Sequence, residues 1–155
     1  MRFLRRGFSL IEAMVVLSIL AFLVVAGVPA YTNYVANAQL REAANSIVSA
    51  GMVAQSEAIK INGIVRVYWA GQSLQVYKVI KNDEVLFKDF TIPDTVVMKS
   101  FSADYDSTGK LTPFGANVLV MIAHRNVACS ENVRCPLVNL ETGGVITICT
   151  ESICR

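Results

Sequence analysis

Residues 5–25 read RRGFSLIEAMVVLSILAFLVV, two arginines and a glycine followed by an apolar run interrupted by one acid, Glu12. From residue 8 to 28 Glu12 is the only charged side chain, and no charge follows it until Arg41. As a helix, residues 8–28 extend roughly 32 Å, the thickness of one hydrocarbon core, which predicts a membrane-spanning helix. A carboxylate inside such a run costs several kcal/mol in lipid unless something pairs with it, so Glu12 needs a reason to be there. A cleaved secretory signal is the rival reading. Its apolar stretch is ordinarily about 7–15 residues, shorter than this one, although Ala26, Gly27 and Val28 supply small residues on the far side. Arg2, Arg5 and Arg6 precede the run, and basic flanks stay cytoplasmic, so the bulk of the chain is expected across the membrane.

The rest of the composition fits an exported domain. The chain has 155 residues, 54% of them hydrophobic, with the excess concentrated at the front. All four cysteines, Cys129, Cys135, Cys149 and Cys154, fall in the last 27 residues. Their C-x5-C and C-x4-C spacings do not match the usual zinc pairs, and His124 is the only histidine, so two disulfides are expected and no metal site. Local pairing, 129 with 135 and 149 with 154, suits the short intervening loops. A crossed pairing restricts the unfolded chain more, and both remain open.

The opening stretch, GFSLIEAMVVLSILAFL, resembles the class III signal of type IV pilins and pseudopilins, G-F-[ST]-L-[IL]-E ahead of a hydrophobic helix. The resemblance implies a prepilin peptidase that cuts between Gly7 and Phe8 and methylates the new terminus on Phe8. It implies a role for Glu12 as well: pairing with the terminal amine of a neighbouring subunit, which sets the assembly register. Pro29 falls where many pilins carry a helix-kinking proline. The implied division is a leader at 1–7, a transmembrane assembly helix at 8–29, its continuation into the globular domain at 30–62, and a β-rich domain at 63–155. The expected partners are the prepilin peptidase, other minor and major pilins or pseudopilins, and the bacterial inner membrane, with the globular domain in the periplasm. Cleavage would take three arginines from a chain with 14 basic and 12 acidic side chains, leaving 11 and 12. The apparent basicity is therefore a property of the leader and gives no bulk attraction for nucleic acid.

Beyond Pro29, Leu40, Ala44, Ile47, Gly51, Ala54 and Ala58 recur at helical spacing, while Arg41, Glu42, Asn45, Ser49 and Glu57 lie off that stripe. Asn62-Gly63 supplies a helix stop. From Ile64 the pattern becomes β: IVRVYW, LQVYKVI, VLFKDFTI, TVVMKSF, VLVMIAH and residues 145–149 read as strands separated by turn signals. The predicted fold is α+β, a long N-terminal helix packed on an antiparallel sheet or small sandwich.

Two further segments narrow the resemblance. AQSEAIKING (54–63) is similar to the end of the long helix in minor pilins and pseudopilins of the GspH/FimT type, and FSADYDSTGKLTP (101–113) to a strand-and-glycine-turn of their sheet. Some FimT-type members bind DNA through a C-terminal G-R-x-R. The comparable stretch here, GGVITICTESICR (143–155), has no such arginine pair, so DNA is a partner that neither net charge nor motif supports. No nucleophile elbow, P-loop, dinucleotide fingerprint or H-E-x-x-H is present, so no enzymatic activity and no cofactor are expected. Asp104 and Asp106 sit in a turn context and read as local hydrogen-bonding residues rather than calcium ligands. His124, at the end of an apolar strand, reads as a packed or capping residue. Trp69 and the tyrosines at 68, 77 and 105 read as sheet packing rather than a ligand patch.

Overall fold

A computed structural model describes residues 9–71, 73–81 and 83–150. Gly7, Phe8, Cys154 and the arginines of the leader lie outside the described residues. One helix, α1, runs unbroken over Leu10–Ile61, 52 residues. Among the described residues nine strands follow: β1 Ile64–Trp69, β2 Leu74–Ile80, β3 Asp83–Phe90, β4 Val96–Met98, β5 Phe101–Tyr105, β6 Leu111–Thr112, β7 Val118–His124, β8 Pro136–Leu140 and β9 Ile146–Thr150. They make two antiparallel sheets, ordered β3-β2-β1-β5-β6 and β4-β7-β8-β9.

The helix has two halves with different physics. Its first half is apolar all round and exposed, while only the second carries a buried face. Leu40, Ala44, Ile47, Ala54 and Ala58 are all buried, as their spacing predicts, and Ala36, Ala43 and Ala50 widen the stripe. Small side chains let α1 lie close across both sheets, where it meets Val65, Val67, Val76 and Tyr105 of one and Val120, Ile122, Val138 and Leu140 of the other. Each fully buried Leu or Ile contributes roughly 1.5–3 kcal/mol.

The helix stop is chemical. Asn62 takes the left-handed conformation at φ 49°, its N–H turned back to Ile59 O, and the Gly63 N–H bonds Ala58 O at 3.1 Å. That is the paired closure in which two helix-end carbonyls are satisfied, with asparagine rather than glycine in the left-handed place. At the other end of the domain sequence the strand pattern needs correction. TVVMKSF is not one strand. Val96–Met98 joins β7 in the second sheet and Phe101–Tyr105 joins β1 in the first, with Lys99 and Ser100 between them. VLFKDFTI starts earlier than expected, at Asp83, because Lys81 adopts φ 50° and turns the chain tightly out of β2. The turn and strand signals do not mark PLVNL, which forms β8, although Pro136, Val138 and Leu140 alternate inward as a half-buried strand requires.

Candidate functional site

The N-terminal half of α1 is the candidate site. Ser9 precedes it in extended conformation, and Glu12 sits in the first turn, where the helix dipole favours an acid. From Leu10 through Val28 the large apolar side chains are exposed, among them Ile11, Leu17, Phe22 and Val25. Glu12 is exposed beside them and has no ion-pair partner among the described residues. A bare stripe of this length is stable only in lipid or against other apolar helices. Pro29 does not divide the helix in two. A proline removes one backbone donor, leaving the Val25 carbonyl without its usual acceptor role, but the turns on either side remain helical. The Thr32 hydroxyl donates to Pro29 O at 2.8 Å in the next turn.

The second half of α1 fixes the domain to this lever. Asn37 reaches the loop closed by the Cys129–Cys135 disulfide: its Nδ2 donates to Asn132 O at 2.7 Å and its Oδ1 accepts the Arg134 N–H at 3.0 Å. Gln39 Oε1 accepts the Thr95 hydroxyl at 2.9 Å and lies 3.0 Å from His124 Nε2, tying α1 to the second sheet. The other His124 nitrogen accepts the Asn126 N–H, so this histidine is a packed polar link. Farther along, Gln55 donates to Gly144 O, in a turn where a side chain at position 144 would come within 2.8 Å of Gly109 O. Glu57, off the predicted stripe, is nevertheless largely covered. Lys78 Nζ bonds it at 2.8 Å and Lys60 at 3.4 Å, and the Lys78 contact holds its carboxyl below the usual range.

Other singled-out residues take structural roles. Asp106 Oδ1 accepts from the Thr108 hydroxyl and N–H and from the Lys110 N–H, and the Thr108 hydroxyl leads in lowering its pKa. Asp104 makes a two-point pair with Arg66, at 2.6 and 2.8 Å, and Glu84 joins the same guanidinium. The Asp104 bond chiefly raises the Arg66 pKa. Trp69 and Tyr105 are core residues, whereas Tyr68 is exposed on the outer face. Burial pushes the Tyr105 hydroxyl up to about 12. Cys149 is also disulfide-bonded.

Residues 2–28 match the prokaryotic N-terminal methylation motif. In N-terminal motif and in fold, the chain is type IV pilin-like. The fold resembles crystal structures of the type IV minor pilin FimU from Pseudomonas aeruginosa strain PAO1. One crystal form aligns at TM-score 0.60 with 14% identity over 75% of this chain and 95% of FimU. A second aligns at 0.58 with 13% identity over 74% and 99%. No curated protein matches in sequence. The pilin-like arrangement of one long helix on antiparallel sheets places the motif at the free end of a helix whose other end is clamped by Asn37, Gln39 and Gln55. Asn37 and Gln39 carried no sequence signal, and the motif that contains Gln55 did not point to its partner, because the partners of all three lie 56 to 97 residues away.

Proposed function

We propose that this chain is a minor-pilin-like structural subunit, held in the bacterial inner membrane by the first half of α1 with its sheet domain in the periplasm. The observation that carries this reading is the methylation motif heading an unbroken helix, bare and apolar in its first half and clamped to a folded domain in its second. Cleavage between Gly7 and Phe8 would free an amine at Phe8, methylated by the same peptidase. The subunit would then exchange lipid for neighbouring helices. Lipid tails are as apolar as leucine, so hydrophobicity alone gives little drive for that exchange, and close packing and polar pairing decide it. Glu12 meeting a neighbour's Phe8 amine would satisfy both buried charges in one register and leave them unpaired in others. Rigid coupling through the unbroken helix would make the domain follow.

Two measurements test this. Mass spectrometry of the membrane-derived protein should find Phe8, N-methylated, as the first residue, and any other mature terminus defeats the assignment. Immunodetection in sheared filament fractions then distinguishes a pilus from a secretion pseudopilus by which major subunit co-purifies.

A further inference from the structure

The helix leaves the apolar span almost directly into the folded domain. Residues 10–30 span about 31 Å as a helix, one hydrocarbon core. Tyr31 and Tyr34 come next, 69% and 72% exposed, the side chains that settle at a bilayer's headgroup level. Ala36 is already 1% exposed inside the core. There is no stalk, so the near face of the domain rests at the headgroup layer, which is about 5–8 Å thick on each side.

The element at that height is the disulfide loop, because Asn37 bonds both Asn132 and Arg134, and Asn37 stands about 4.5 Å beyond Tyr34 along the axis. Between this loop and α1 opens a polar cleft of about 680 Å³ that begins beside Tyr34. Arg134 lines it from the loop and Arg41 from the helix, with the amide of Asn45 and the hydroxyl of Ser49 on the same wall and Glu42 its carboxylate. Helical side chains lean toward the N-terminus, which tilts Arg41 toward the bilayer. Neither guanidinium has an ion-pair partner among the described residues, whereas Arg66 has two.

We infer that this cleft holds the phosphate of an anionic phospholipid headgroup, docking the domain on the membrane. Two guanidiniums with free forks, at the end of the cleft nearest the bilayer, suit a phosphodiester. The inference rests on the membrane-anchored reading of α1. Its test uses the full chain reconstituted in bilayer discs of phosphatidylcholine alone or mixed with phosphatidylglycerol, with retained lipid counted by native mass spectrometry. Phosphatidylglycerol should be retained over phosphatidylcholine. Arg41→Gln or Arg134→Gln should each lower that preference about five-fold, and both together about thirty-fold, the effect of removing basic residues near an anionic surface. Arg41→Lys with Arg134→Lys should keep most of it, which separates lost charge from a misfolded domain. An unchanged preference in the double Gln variant overturns the proposal. So does an equal loss in Lys99→Gln/Lys110→Gln, which removes two charges outside the cleft, or a preference for soluble glycerol phosphate over the lipid at equal concentration. Failure of the chain to enter phosphatidylcholine discs would instead defeat the membrane-anchored reading, and this proposal with it.

Discussion

Gly51 faces the second sheet so closely that a methyl group at its position would lie 2.4 Å from Ile146 Cδ1 and 3.2 Å from the Tyr105 hydroxyl. Ordinary carbon contacts are about 3.5–4.0 Å, so the Ile146 terminus would have to retreat by more than ~1 Å in a filled core. Two effects oppose each other in Gly51→Ala. Helix propensity favours alanine by about 1 kcal/mol, and overpacking costs about 1–3 kcal/mol. The net expectation is a change between nil and about 2 kcal/mol of destabilisation. Ile146→Val deletes one terminal methylene's worth of bulk and should itself cost about 0.5–1.5 kcal/mol. In that background Gly51→Ala should stabilise by up to about 1 kcal/mol, since the 2.4 Å contact is gone, only the 3.2 Å approach to the Tyr105 hydroxyl remains, and the propensity gain is kept. The double-mutant cycle should therefore show a favourable coupling of about 1–3 kcal/mol. Every buried hydrophobic core residue lies at or beyond Ala36, so urea unfolding of a soluble version beginning at Tyr31, kept oxidised, reads the four variants. A coupling below about 0.5 kcal/mol would show that close approach to Ile146 is not why glycine stands at 51.

Cys129→Ser with Cys135→Ser, opening a loop of sequence separation 6, should cost about 2 kcal/mol by the same assay. Hydrogen exchange at Arg134 N–H should accelerate with it, because the loop that presents this amide to Asn37 is released. Tyr105 is protonated to about pH 12 in the folded chain and to about pH 10 when unfolded, so the stability this difference contributes is full below pH 10 and is lost as pH rises toward 12. Tyr105→Phe should flatten that alkaline loss, and at neutral pH it should be near neutral, since the buried hydroxyl has no hydrogen-bond partner among the described residues. Glu12→Leu should insert and be cleaved normally but enter filaments less, measured by quantitative immunodetection. Unimpaired incorporation would remove the pairing role proposed for Glu12.

The sequence by itself determined the features set by short-range pattern. A membrane-length apolar run, the small-residue stripe from Leu40 to Ala58 and the stop at Asn62-Gly63 are all local periodicities, and the structure places them as expected. The β-branched and aromatic content of IVRVYW and VLVMIAH likewise marks both as strands, but not their inward face: Leu119 and Met121 are exposed beside buried Val120 and Ile122, a period-two pattern that only packing reveals. Pattern could not show where the chain changes sheets. TVVMKSF is rich enough in β-branched and apolar residues to read as one strand, yet its two ends find partners in different sheets, and strand pairing is decided by segments far away in sequence. The same holds for Asn37, whose side chain looks like any polar residue until the loop closed 95 positions later comes to rest on it. It holds again for Glu57, which a helical wheel assigns to solvent and Lys78 of β2 draws under cover. Local sequence chooses helix, strand and burial face through steric period and propensity. Which of two sheets a strand joins, and which polar groups meet across the core, depends on packing between elements that only the assembled tertiary structure brings together.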